Sequence, residues 1–436
     1  MQGTAEGPKL KKVLILTYYW PPAGGPGVQR VLKFVKYLPE FGWEPVVLTV
    51  KNGEYPALDD SLVAEIPGTV RVFQTPTIEF FSLFKRLSGR KKEAPIETFF
   101  LNRKKMPLKD RLFSWIRQNV FIPDARLGWV PFAIREGARI LQDEKPAILF
   151  SSSPPHSLNL AALRLSRKYR IPWVADFRDP WTEAFYEKGQ PRSGFAKRIN
   201  AYFEQKVLCR AHAVLSVNRS ILELLYHRPL PDNAHAVPNG YDADDFKLKK
   251  RQSPQFRIVY AGHIDSSQNP ECFFAALTTL KEAHPGRVRA DFYGKTDAAV
   301  REGIQRYGLE DVLHCQAYVP HSDILQIITD ADLLLLLIPR PFSKGIVTGK
   351  IFEYLATRNF ILGIGDPQGD AAQILQECRA GEMLSYEADP SGILEAQFQR
   401  WQQGLDTQSD TEAIAKYERR ETAKSLAQIL DRYAMG

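Results

Sequence analysis

Thr348-Gly349-Lys350-Ile351-Phe352-Glu353-Tyr354-Leu355-Ala356 lies between two strongly apolar runs, Leu333 to Ile338 before it and Phe360 to Ile364 after it. A buried strand, a glycine-containing loop, a short helix and a second strand make one turn of an open α/β sheet. Ligands of such sheets bind beyond the carboxyl ends of the strands. Lys350 and Glu353 are three residues apart, so one helix face presents a cation and a carboxylate together. A helix N-terminus at Thr348 would hold a phosphate and leave the carboxylate for sugar hydroxyls. A nucleotide sugar carries both groups.

At 436 residues the chain exceeds one comfortable core, so two domains are expected. The net charge of +8 is unevenly placed: Lys85 to Arg111 holds ten basic and three acidic residues, interleaved with Phe99, Phe100, Leu101 and Met106. Such a segment suits an anionic membrane surface or a solvated loop; no nucleic-acid recognition motif accompanies it. Cys209, Cys272, Cys315 and Cys378 match no metal-ligand or disulfide spacing and read as reduced cysteines of a cytosolic protein. No run is long enough to span a bilayer, and Met1 to Leu10 lacks an apolar signal core. The expected location is the cytoplasm, peripheral on the inner face of the plasma membrane.

Val13 to Thr17 reads as a first strand, and the loop Ala23-Gly24-Gly25-Pro26-Gly27 follows it. Val31, Phe34, Val35 and Leu38 then recur at helical spacing before a strand at Pro45 to Val50. Strand, glycine-rich turn, helix and strand open a nucleotide-type α/β domain. Later strands are expected at 147–150, 173–176 and 213–217. A second series begins at Arg257 and runs through 289–294, 314–319, 331–338 and 360–364. Pro238-Asn239-Gly240-Tyr241-Asp242 and the polar, basic Lys247 to Gln255 separate the two series. The expectation is an N-terminal domain over residues 1–245, a C-terminal domain over 246–409, and a last helix within 410–436 packing back on the first domain.

In this order and spacing the chain resembles a retaining glycosyltransferase of the GT-B fold, similar to glycosyltransferase family 4. The resemblance rests on three pieces: Tyr18-Tyr19-Trp20-Pro21-Pro22-Ala23-Gly24-Gly25-Pro26-Gly27-Val28-Gln29-Arg30, Pro238 to Asp242, and Asp332 to Pro339 with Lys350 to Ala356. It implies two Rossmann-like doubly wound α/β domains facing a central cleft. It also implies transfer of a sugar from a UDP- or GDP-linked donor to a glycan or lipid-linked acceptor, with retention, as in cell-surface polysaccharide synthesis. No cofactor and no metal is expected. A sugar-nucleotide epimerase of the same fold and a non-catalytic scaffold subunit are the alternatives.

Residue by residue, Gly25, Gly27 and Val28 would contact the donor diphosphate or the acceptor, with the free amides of Val28 and Gln29 aimed at the ligand; a plain tight turn is the other reading. His156 follows the strand at 147–150, and the resemblance places such a histidine on the transferred sugar; here it would donate a hydrogen bond to a sugar hydroxyl or the departing phosphate, a purely structural histidine being the other reading. Tyr18 belongs to the first loop and is assigned to the acceptor. So are Arg178, Asp179 and Trp181, at the next strand end, unless an Arg–Asp pair merely ties that loop down. In the second domain the resemblance calls for an arginine and a lysine after the first strand, where this chain has His263 and Gln268. Lys350 would replace their charge, helped by Lys344 unless that lysine is solvated. Glu353 matches the second of two glutamates eight positions apart and is assigned to the ribose. The first falls on Gly345, leaving the main chain of Gly345, Ile346 and Val347, with Thr348, to line the sugar pocket.

Overall fold

The computed structural model describes residues 10–55, 57–79, 108–184, 192–340 and 345–434. They divide into two compact units, residues 1–238 with 422–436 and residues 239–421. The basic segment of Lys85 to Arg111, apart from the backbone of its last residues, lies outside the described residues, as does Lys344.

The first unit is built on a seven-stranded sheet of order β3-β2-β1-β4-β5-β6-β7. Its strands are β1 (Lys11–Thr17), β2 (Trp43–Val50), β3 (Arg71–Thr75), β4 (Ile148–Ser153), β5 (Trp173–Phe177), β6 (Ala213–Ser216) and β7 (Ala234–Ala236), and every neighbouring pair is parallel. Alternate residues of β1 enter different cores. Leu14 and Leu16 pack with Trp129 and Leu165, while Val13 and Ile15 pack with Phe34, Leu426 and Leu430. A strand covered on both faces must be apolar throughout, which is why it reads as a continuous run.

The second unit has a six-stranded sheet of order β10-β9-β8-β11-β12-β13, formed by β8 (Phe256–Ala261), β9 (Val288–Tyr293), β10 (Leu313–Gln316), β11 (Leu333–Leu337), β12 (Phe360–Ile364) and β13 (Gly381–Leu384). β11 repeats the logic of β1: Leu333, Leu335 and Leu337 join one core and Leu334 and Leu336 the other. Each buried leucine contributes about 2 kcal/mol of transfer free energy. Strands β3, β7 and β13, absent from the sequence reading, are all sheet edges. Their partial cover leaves mixed runs such as Arg-Val-Phe-Gln-Thr, with no apolar core to detect.

The last expected helix is two helices, Thr411–Ala415 and Arg419–Ala434. Tyr241 interrupts them: its N–H donates to the Tyr417 carbonyl at 3.0 Å and its carbonyl accepts from the Arg419 N–H at 2.8 Å. Further along the second helix, Ala423, Leu426, Ala427 and Leu430 pack into the core of the first unit, and Lys11 pairs with Asp431.

A fully buried ion pair ties the first unit across its sheet. Arg30, on the helix Pro26–Tyr37, donates from Nε to Asp176 Oδ2 at 3.1 Å and from Nη2 to Oδ1 at 2.9 Å. Ser152 Oγ adds a bond to the same carboxylate at 2.7 Å, and Arg30 Nη1 reaches the Pro238 carbonyl at 3.0 Å. Removing one partner strands the other charge in the core. Asp176→Ala and Arg30→Ala should each destabilise this unit by about 3–5 kcal/mol, and the paired apolar replacement Arg30→Met with Asp176→Leu should cost clearly less; equal losses in denaturant unfolding of all three variants would contradict this.

Candidate functional site

In each sheet the strand order reverses beside the first strand, between β1 and β4 and between β8 and β11. The loops leaving those strands diverge there and open a crevice at the carboxyl ends.

In the second unit β8 is followed by Gly262, whose φ is +135°. A Cβ at this position would overlap the Lys350 ammonium, so the absence of a side chain lets the lysine lie on the backbone. Lys350 Nζ donates to the Tyr260 hydroxyl at 2.7 Å and sits 4.4 Å from the centre of that ring. The hydroxyl in turn donates to the His263 carbonyl at 2.9 Å. Burial pulls the Lys350 pKa down to about 8, with Glu353 opposing the shift. An ammonium has three N–H donors, and this one uses one of them among the described residues. Gly294, after β9, backs the loop: its φ is +119°, and a Cβ there would come within 2.7 Å of the Gly262 carbonyl oxygen.

Lys350 opens the helix Lys350–Thr357, which has no side-chain cap. The main-chain amides of Gly349 and Lys350 find no acceptor among the described residues, and the buried Thr348 Oγ1 has no hydrogen bond. Orphan amides at a helix start carry partial positive charge and favour anions. Glu353 lies in the first turn, and His321 Nε2 holds its Oε1 at 3.0 Å. His321 was missed in the sequence; a histidine opening a helix beyond an edge strand carries no local signal of such a contact. Gly345, Ile346 and Val347 precede the helix, the latter two packing on its apolar side.

His263 and Gln268 stand where the resemblance calls for an arginine and a lysine, and each makes a contact of its own. The exposed His263 imidazole turns toward Asp297, 3.5 Å away. Gln268 is buried, and its amide donates to the Leu337 carbonyl at 3.1 Å, bracing the loop after β8 against the end of β11.

In the first unit the loops after β1, β4 and β5 bring together Gly27, His156, Arg178, Asp179 and Trp181. Arg178 Nη1 donates to the Gly27 carbonyl at 2.9 Å, and its Nη2 bonds the Pro154 carbonyl. A Cβ on Gly27 would come within 2.8 Å of Arg178 Cζ. His156 lies flat on Trp181, with centroids 4.8 Å apart and planes 7° apart, while Trp181 is anchored through Nε1 to Asn200 at 2.9 Å. Neither ring nitrogen of His156 has a hydrogen bond among the described residues. Burial, then Arg178 and Arg192, bring its pKa down to about 3, and the nearby Pro180 carbonyl opposes this without forming a bond of ordinary geometry. Burial raises the Asp179 carboxyl above its usual range, with Arg178 opposing.

The structure corrects other details of the first loop. Tyr18 is fully buried and bonds Glu79 through its hydroxyl, so no surface of it meets an acceptor. The N–H groups of Val28 and Gln29 are not free: both bond the Gly25 carbonyl, at 3.0 and 3.2 Å, as Gly25 caps the helix from φ +106°. Arg178 does anchor its loop, but to Gly27 and Pro154, whereas the Asp176 carboxylate belongs to Arg30.

Residues 24–240 match the family model of the glycosyl transferase 4-like domain. Through these residues the chain belongs to that family. Its two Rossmann-like units are those of the GT-B fold. Solved structures agree in fold at low identity. HepE of Anabaena in complex with UDP is 13% identical, over 97% of this chain and 95% of that one, with a TM-score of 0.55. A glycosyltransferase from Rickettsia africae ESF-5 is 14% identical over 97% and 94%, with a TM-score of 0.56. The lipopolysaccharide outer core galactosyltransferase WaaB is 12% identical over 97% and 99%, also at 0.56. No curated protein matches the sequence. No described helix is long and apolar enough to cross a membrane.

Two outcomes follow from this geometry. Gly262→Ala places a methyl where the ammonium sits and imposes a strained φ, at a cost of about 1–3 kcal/mol; a variant with unchanged unfolding would show that the lysine does not occupy this position. A histidine titrates near 6.5 when unfolded and, at position 156, at about 3 when folded. Between those values the unfolded chain binds the extra proton, so the stability this residue confers is full above pH 6.5 and is lost as pH falls toward 3. His156→Phe should therefore flatten the acid limb of the stability profile; an unaltered limb would contradict the assignment.

Proposed function

We propose that the protein is a retaining glycosyltransferase that moves a sugar from a nucleotide-sugar donor, UDP- or GDP-linked, to a glycan or lipid-linked acceptor in cell-surface polysaccharide synthesis. The observation that carries this reading is the Lys350 ammonium lying on Gly262, beside the unpaired helix amides and one turn from Glu353. A departing diphosphate gains negative charge in the transition state, and preorganised donors aimed at that charge lower the barrier. Lys350 and the amides of Gly349 and Lys350 supply such donors without calling on a divalent ion. Glu353, oriented by His321, takes the ribose hydroxyls. The Thr348 hydroxyl and the main chain of Gly345 to Val347 take the sugar side.

The first unit would receive the acceptor. A neutral His156 imidazole donates one hydrogen bond and accepts another, which suits a sugar hydroxyl, and the flat His156–Trp181 stack fixes the ring's orientation. Asp179, with its raised pKa and no hydrogen bond among the described residues, is placed to accept from an acceptor hydroxyl. Retention of configuration rests on the family resemblance. So does a cytoplasmic site at the membrane's inner face, where the basic 85–111 segment would meet anionic lipid.

Thermal shift against a panel of UDP- and GDP-sugars tests the reading, and no stabilisation by any of them would sink it. Incubating the stabilising sugar nucleotide without acceptor separates transfer from epimerisation, since a new sugar epimer would favour the epimerase. Lys350→Ala should weaken donor binding roughly 10- to 100-fold, the worth of one charged hydrogen bond. Below pH 8 Lys350 is already protonated, so donor affinity should be level there. Above it binding must take up a proton, and affinity should fall by up to about tenfold per pH unit. Lys350→Arg should remove that slope.

A further inference from the structure

The second unit has a cavity of about 820 Å³, within the size range of small-molecule sites, at the end of its sheet opposite Lys350 and Glu353. Its walls are residues that lead into strands: Arg287 before β9, Asp332 before β11, and Arg358 with Asn359 before β12. Arg400 and Trp401, from the last turn of the helix Ser391–Gln402, form another wall, and the segment from Gly404 to Thr411, with Asp406, lines the rest together with Lys250 and its neighbours.

The charges do not cancel. Lys250 pairs with Asp332 at 3.0 Å, and Asp332 also accepts the Arg257 N–H at 2.9 Å. That leaves three guanidiniums against the one remaining carboxylate of the lining, Asp406, which forms an ion pair with none of them among the described residues. Arg287 lies 5.2 Å from the centre of the Trp401 ring. Arg400 spends one N–H on the Asp406 carbonyl at 2.6 Å. Arg358 makes no side-chain hydrogen bond among the described residues. None of the three pairs with a carboxylate there. Arginines at helix C-termini compensate helix dipoles, which would account for Arg358, the C-cap of Lys350–Thr357, and Arg400, in the last turn of Ser391–Gln402. It does not account for Arg287, which precedes a strand. Guanidiniums stay charged at all working pH values and present paired N–H groups matched to phosphate oxygens.

We infer that this cavity binds a small phosphorylated ligand, its phosphate held by Arg287, Arg358 and Arg400, at a site separate from the donor residues. The ligand is either a sugar phosphate or a free polyphosphate. Arg287 already lies over one face of the Trp401 ring, so a nucleobase stacking there would have to displace it.

The test is calorimetric titration of the full chain at low salt with inorganic pyrophosphate and with glucose 6-phosphate. The variants are Lys350→Ala, Arg287→Gln and Arg358→Asn, asparagine being chosen because Arg358 sits at φ +61°, where asparagine is at ease. Binding should persist in Lys350→Ala and weaken at least tenfold in both arginine variants, with ligand-free unfolding midpoints unchanged. Hydrogen exchange should slow over residues 403–411 on binding. The tighter of the two probes identifies the source of the phosphate. Binding lost in Lys350→Ala and intact in the arginine variants would overturn the proposal, because phosphate would then go to the donor residues alone. So would arginine variants that lose stability while keeping affinity, the behaviour of simple helix-end compensation, and so would no binding of either probe to Lys350→Ala.

Discussion

A parallel sheet whose strand order reverses beside its first strand has one place where consecutive loops part instead of crowding together. Right-handed crossovers force the helices that follow β1 and β4, or β8 and β11, to opposite faces of the sheet, and the loops between strand and helix are left facing open space. Both units then use that space in the same way. A long cation from a later loop is laid against a glycine that follows the first strand: Arg178 against Gly27 in one, Lys350 against Gly262 in the other. The glycines are needed for closeness of approach, and the cations reach the crevice only because nothing projects from the backbone beneath them.

The two cations differ in how far their charge is already used. Arg178 gives its N–H groups to two main-chain carbonyls and serves as a brace. Among the described residues Lys350 has one neutral partner, the Tyr260 hydroxyl, and burial brings its pKa down to about 8. Around Arg178 the same physics acts on its neighbours, pressing His156 down and Asp179 up. All three shifts favour the uncharged form, since a charge in a partly dry crevice is costly until an opposite charge arrives. Arg30 and Asp176 show the contrast. Each is the other's counter-ion and both are fully buried, so that pair holds structure and has no capacity left for a ligand.

What could be read from sequence follows from what leaves a local trace. Central strands such as β1 and β11 are buried on both faces and announce themselves as unbroken apolar runs, and the glycines between strand and helix mark the turns. Edge strands β3, β7 and β13 are half covered and leave no such run. Among the residues assigned to the proposed site, the placement of His156, Lys350 and Glu353 just beyond strands was legible. Those decided by a partner distant in sequence were not. Tyr18 looks like a loop aromatic until Glu79 claims its hydroxyl, and Gln268 looks like a ligand residue until Leu337 takes its amide. His321 acquires a role only when the fold carries it to Glu353.

That last contact bears on the most conspicuous departure in the chain. The family pattern implies two carboxylates on this segment, and Gly345 removes the first. One carboxylate then has to be well placed, because no second one shares the task. Glu353 is held at both ends of its side chain: its backbone sits in the first turn of a helix packed through Ile351, Phe352 and Leu355, and its carboxylate is held by His321 at 3.0 Å. Fewer negative groups also leave Lys350 with less local compensation, so the crevice presents a more positive field than a two-carboxylate site would. Such a field would favour the diphosphate over the sugar as the anchor of the proposed donor. On the proposed function, the loss of the first carboxylate would then widen the range of sugars accepted more than it would weaken the hold on the nucleotide.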